Sequence, residues 1–215
     1  MTDVFSTRMA RLRARMRETG TGLAAVGPGS HMQWLAGFYP HPDERPCLLL
    51  VGLEKAGLLM PALNAEAARL HTGLPMFEWA DADGHDAALT AALAHVFPRA
   101  EGRIVLDETM RADFALAVID VLPGLPRAFT GDTLGLLRSI KDEDEYRLLK
   151  AGALLNDEAM KAAWAAIRPG MTETRLADVV RDHFSANGAQ PLFWIVGAGE
   201  NGAHPHHATG DRVLR

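Results

Sequence analysis

Pro191-Leu192-Phe193-Trp194-Ile195-Val196 runs into Gly197-Ala198-Gly199-Glu200-Asn201-Gly202-Ala203, and that turn into His204-Pro205-His206-His207. The apolar run reads as a strand, bounded behind by Asn187-Gly188 and ahead by glycine. Behind it, three histidines fall within four positions. Ala208-Thr209-Gly210-Asp211-Arg212-Val213-Leu214-Arg215 follows them. The rest of the chain reads as scaffold leading to this point.

Taken on residue types alone, the histidine cluster admits three readings. Closely spaced histidines bind zinc, and a proline stiffens the turn that presents them. The spacing, however, is not that of a helical His-x-x-x-His pair, and Glu200 and Asp211 are the only nearby carboxylates. The other readings are surface or packing histidines, and a single catalytic histidine supported by the turn.

Upstream of the turn, Leu149, Ala153, Met160, Ala163 and Ile167 recur at helical spacing, predicting a helix over 142–168 that Pro169-Gly170 stops. The acidic run Asp142-Glu143-Asp144-Glu145 at its start complements the helix dipole. Adjacent acids on a helix diverge, so this run is not read as a metal site. Thr172 is the expected N-cap of a second helix, with Glu173 in its first turn and Leu176, Val179, Val180 and Phe184 on one face. Residues 141–215 thus read helix, helix, strand, histidine turn. Two helices and one strand supply too little sheet to cover both apolar faces, so this second domain is expected to be incomplete as written.

Residues 1–132 read as an α/β domain with helices over a largely parallel or mixed sheet. Helix is expected over 5–19, 64–71, 84–97 and 110–121, and strand over 23–26, 103–106 and 127–129. Residues 47–51 and 57–60 form the best hairpin candidate. Ser30 is the expected cap of a short helix ending at Gly37, and Asp132 of another reaching Arg138 within a 133–140 linker. Gly27-Pro28-Gly29 lacks the third glycine of a dinucleotide fingerprint and carries a proline, so no such site is read there. The loop 39–46 has three prolines and is stiff.

The composition is that of an ordinary globular protein: 215 residues, 48% hydrophobic and 23% charged. A formal net charge of -5 gives no basic field for nucleic acid. No run approaches the roughly 20 apolar residues that span a bilayer, and no secretory signal follows the N-terminus. The single cysteine, Cys47, opens an apolar run and reads as a buried hydrophobe. A cytoplasmic protein is expected.

In order, Arg138-Ser139-Ile140-Lys141, the long helix, Ile167-Arg168-Pro169-Gly170-Met171-Thr172-Glu173, the apolar run, the glycine turn, Pro205-His206-His207 and Gly210-Asp211-Arg212 resemble the pita-bread metallopeptidases. That family comprises Xaa-Pro aminopeptidases and prolidases, with creatinase as a relative. Residues 1–132 resemble the creatinase-like N-terminal domain. The resemblance implies an α/β N-terminal domain with a mixed sheet and, over 141–215, the first part of a pita-bread α+β domain.

It also implies hydrolysis of the peptide bond preceding proline in short peptides. Two divalent ions, typically manganese, cobalt or zinc, activate a bridging water in active members. The histidine after the proline, here His206, is not a ligand: it helps bind the substrate or stabilise the tetrahedral intermediate. Pro205 fixes its approach, His207 supports it or lines the pocket, and Trp194 is a further candidate for the pocket wall. His204 has no implied role. Homodimers are common among such enzymes, and the 39–46 loop is the candidate contact with a neighbour.

The five ligands the resemblance implies, two aspartates, a histidine and two glutamates, all lie downstream of the position of His206. None is found by Arg215, and Asp211 belongs to the Gly-Asp turn. The expectation is therefore no metal site within these residues, and a chain inactive by itself. Two other functions stand beside this one: a metal-free creatinase-like hydrolase that keeps His206, and a non-enzymatic protein-binding module.

Overall fold

The structure is a computed structural model that describes residues 4–215. The chain divides after Ile140 into two compact units.

The first unit begins with α1 (Val4–Glu18), which buries Leu12 and Met16, two residues four apart on one face. β1 (Thr21–Val26) follows, then α2 (Ser30–Ala36). Gly37 ends α2 with φ of 81°, a left-handed geometry that glycine adopts without strain. Ser30 does not cap this helix. It is the first helical residue, and Gly29 holds the cap position with no side-chain bond.

β2 (Leu48–Gly52) and β3 (Ala56–Pro61) pair antiparallel as the expected hairpin. Gly52 at its tip lies so close to the end of a neighbouring helix that a Cβ would sit 1.8 Å from the Val96 carbonyl oxygen, which requires glycine. The unit continues with α3 (Ala62–Arg69), β4 (Met76–Trp79), α4 (Asp86–Val96), β5 (Arg103–Leu106), α5 (Ala112–Val121), β6 (Arg127–Phe129) and α6 (Leu134–Ser139). β4 was not expected from the sequence. It is a short edge strand held parallel to β3, and Trp79 Nε1 anchors its end by donating to the Pro46 carbonyl at 3.0 Å.

The six strands form one mixed sheet in the order β4-β3-β2-β1-β5-β6. The central pairs β1-β2 and β2-β3 are antiparallel, and β3-β4, β1-β5 and β5-β6 are parallel. Side chains alternate across the sheet, so each central strand feeds two cores. Ala24, Val26, Leu49 and Val51 pack with Leu12, Met16, Met32 and Leu35 on one face. Leu23, Ala25, Leu48 and Leu50 pack with Leu89, Leu93, Phe114 and Val118 on the other. Burying each such aliphatic side chain contributes about 1.5–3 kcal/mol, which makes β1 and β2 the rigid centre of the unit. Cys47 lies in the first core, where burial pushes its thiol up to about 12, so it packs as a hydrophobe.

Asp132, the expected cap of α6, is used elsewhere. Both its carboxylate oxygens accept from Arg103, at 2.7 and 2.8 Å, and Thr133 takes the cap position. An ion pair with a strand residue takes the carboxylate that a local cap would have needed.

The second unit is built on α7 (Glu143–Ala166) and α8 (Glu173–Ala186). α7 opens with a capping box: the Asp142 side chain accepts from the Glu145 amide, and the Glu145 side chain accepts from the Asp142 amide, both at 2.9 Å. Thr172 caps α8 through its Oγ1, which accepts from the Arg175 amide. Only Ala159 and Ala163 of α7 are buried. Leu149, Met160 and Ile167, which set the sequence periodicity, are exposed.

Residues 191–198 have no regular secondary structure, contrary to the strand expected there. The strand pattern needs a partner, and among the described residues of this unit the only bridge is Thr172–Val213. Leu192 and Phe193 are therefore exposed rather than buried.

Candidate functional site

The histidine turn is organised by one carboxylate. Glu173, the first residue of α8, is completely buried. Its Oε1 accepts from the Ala198 amide at 2.7 Å and from Asn201 Nδ2 at 2.9 Å. Its Oε2 accepts from the Gly210 amide at 3.1 Å and lies 2.8 Å from His207 Nε2. A carboxylate offers about four lone-pair sites, and here all four are taken. The Ala198 amide and His207, with Asn201 and Gly210 behind them, hold Glu173 down to about 2 against the opposing effect of burial. An ionised carboxylate only accepts, so the proton in the His207 contact sits on Nε2.

The loop between these anchors is tied to the start of α8 along its length. The Glu173 amide donates to the Arg212 carbonyl, and both the amide and hydroxyl of Thr174 donate to the Gly210 carbonyl. Val196 donates to Thr209 Oγ1 at 2.9 Å, which closes the loop across its base. Within the loop a 3-10 turn, Gly199–Ala203, leads to a tight turn in which the His207 amide donates to the His204 carbonyl at 3.0 Å.

The structure places the sequence-derived site residues differently from one another. His207 is half-buried and fixed by Glu173. His206 beside it is exposed, and its ring makes no hydrogen bond with the described residues. His204 is also exposed. Trp194 lies under Arg181 of α8, with the guanidinium carbon 4.4 Å from the ring centroid. It lines an apolar cleft of about 760 Å³ together with Met160, Trp164, Leu176 and Phe184, a cleft that neither His206 nor His207 lines. Glu173, which organises the turn, is not singled out by the sequence. Its position after a capping Thr is equally that of an ordinary first-turn acid, and only its burial shows the difference.

Three of the metal-ligating side chains of the turn are already engaged. Glu173 is saturated by N–H donors, Glu200 pairs with Arg212, and His207 Nε2 is engaged. Among the described residues one group has metal-ligand spacing, His31, Asp107 and Glu108 in the first unit, with candidate atoms within 4.8 Å of one another. That group already holds a cation: Arg138 lies 2.8 Å from His31 Nδ1, and Glu108 accepts from the Thr130 amide and hydroxyl. Burial, opposed by Asp107, pushes His31 down toward the neutral ring that accepts from Arg138. A metal on Nδ1 would have to displace the guanidinium, so the cluster reads as a tie between α2, α6 and the end of β5.

The mixed sheet of the first unit, and the two helices and anchored histidine turn of the second, follow the order that the sequence resemblance implies. Comparison with known proteins agrees. Residues 8–139 match the creatinase/prolidase N-terminal domain, and residues 147–215 match metallopeptidase family M24. The chain belongs to the creatinase/prolidase-type metallopeptidases of family M24. It is 30% identical over 220 residues to the probable dipeptidase PepE of Mycobacterium tuberculosis, covering 99% of this chain and 57% of that protein. The crystal structure of dipeptidase PepE from Mycobacterium ulcerans superposes with a TM-score of 0.86 at 27% identity, over 99% of this chain and 57% of that one. A dipeptidase from Pyrococcus horikoshii gives 0.83 at 26% identity, over 97% and 58%. The chain therefore spans a little over half the length of these relatives.

Proposed function

We propose that the protein is a peptidase acting on short peptides, with a preference for the bond preceding proline, and that the histidine turn is its substrate-side element. The observation that carries this reading is the Glu173-anchored loop, which spends a fully buried carboxylate to hold an exposed His206 beside a fixed His207. Such expenditure suits a group that must be placed accurately before it meets a substrate.

In this reading His206 donates to the oxygen of the scissile bond as charge develops there, and Pro205 restricts the backbone that presents it. Metal ions, which supply a nucleophilic water in this family, are held by residues other than those described here. The 215 residues by themselves are inactive in this reading, and the activity belongs to the complete enzyme that includes the metal-holding residues. The protein is a homodimer, with the 39–46 loop at the contact; Arg45 braces that loop through a bidentate pair with Asp81.

The test is hydrolysis of a dipeptide panel, Xaa-Pro against Xaa-Ala and Xaa-Leu, by the protein as encoded, with manganese added. The reading expects Xaa-Pro dipeptides to be cleaved with the highest kcat/KM. Uniform cleavage of the panel would leave a peptidase without the proline preference, and no cleavage of any member would reject the peptidase reading.

A further inference from the structure

We propose that Glu173 is a positioning residue which fixes both ends of the histidine turn, through Ala198 and Asn201 on one side and His207 and Gly210 on the other, and thereby the place of His206. The proposal deepens the peptidase reading and rests on it for its kinetic consequence, though not for its geometry.

The four bonds of Glu173 reach both ends of one loop. Ala198 and Asn201 lie before the histidines, and His207 and Gly210 at and beyond them. One buried carboxylate thus sets the span of the loop that carries His206. Removing it would leave two backbone amides, a carboxamide and a ring N–H, all partly buried, without their acceptor, and each such group is costly to leave unpaired. The bond to His207 adds a chemical constraint. Because the ionised carboxylate can only accept, the ring is held with its proton on Nε2, and in the neutral ring the lone pair lies on Nδ1. His207 is a partly buried strut in this arrangement, and His206, its neighbour, is the group left to meet substrate.

A glutamine at position 173 keeps the shape but turns one side of the group into a donor. Two of the four N–H groups then face an N–H, and the loop must shift. A glutamine at position 207 keeps a donor near the place of Nε2 while removing the imidazole.

The experiment compares E173Q, H207A and H207Q with the wild type, each as the complete enzyme, by two readouts. Nitrogen-15 NMR of the His207 ring is expected to show a slowly exchanging Nε2–H in the wild type that is lost in E173Q. Kinetics on the best dipeptide are expected to show kcat falling about 100-fold in E173Q and H207A with KM changed little, and H207Q recovering most of the loss. A ring without a proton on Nε2 in the wild type overturns the proposal, as does E173Q with unchanged kcat or H207Q as impaired as H207A. If the wild type cleaves no dipeptide, the peptidase reading fails, and the ring proton alone still decides whether the anchor exists.

Discussion

Glu173 and Asp142 are both acids at helix starts, and the sequence reads them alike. The structure separates them by depth. The capping box of α7 lies at the surface, whereas Glu173 is buried. Its ordinary value of 4.5 is lowered to about 2 by the Ala198 amide first and His207 second. A carboxyl depressed in the folded state contributes stability that is present above its unfolded value and lost as pH falls through the folded one. The amides of Ala198 and Gly210 should therefore keep high protection against hydrogen exchange above pH 4.5 and lose it progressively toward pH 2. In E173Q their protection should be low and nearly independent of pH over that window. Equal pH profiles in the two proteins would mean that another group holds the loop. The residue types of the histidine turn were legible in the sequence, as was their order. The anchor was not, because nothing in Thr172-Glu173 distinguishes a solvated first-turn acid from a buried one.

Secondary elements with strong local signals appear where the sequence places them. The hairpin of β2 and β3 has an apolar run on each side of a polar turn, and α8 has a capping threonine ahead and Asn187-Gly188 behind. The signals fail where a partner decides. β4 is four residues long at a sheet edge and is defined by its pairing with β3. Residues 191–196 have a strand's composition but no ladder to join among the described residues of their unit. Asp132 has a cap's chemistry, but Arg103 takes it. Caps that are present have a measurable value. Asp142→Ala should lower stability to urea by about 1 kcal/mol, because it removes the side-chain acceptor for the Glu145 amide. Asp144→Ala, which removes an exposed pair with Arg147 and one of several solvated first-turn acids, should change stability by about 0.5 kcal/mol or less. Equal effects of the two would show that the capping box carries no special weight.

At the scale of the molecule, the two units differ in how they use their apolar residues. The first folds them into two cores on either side of a sheet. The second leaves Leu148, Leu149, Leu154 and Trp164 of α7 exposed, together with residues 192–195. Its small core gathers Ala163, Met171 and Leu176, with Val196 and Leu214 on either side of the histidine turn packed against them. No helix among the described residues is long and apolar enough to cross a membrane. The central claim is that the turn serves the substrate and not a metal. The most direct test measures bound manganese and Xaa-Pro turnover side by side in the protein as encoded and in its His206→Ala variant. The account predicts unchanged metal content with kcat lowered about 10²–10³-fold. Loss of the metal on substitution, or turnover left intact, would contradict it.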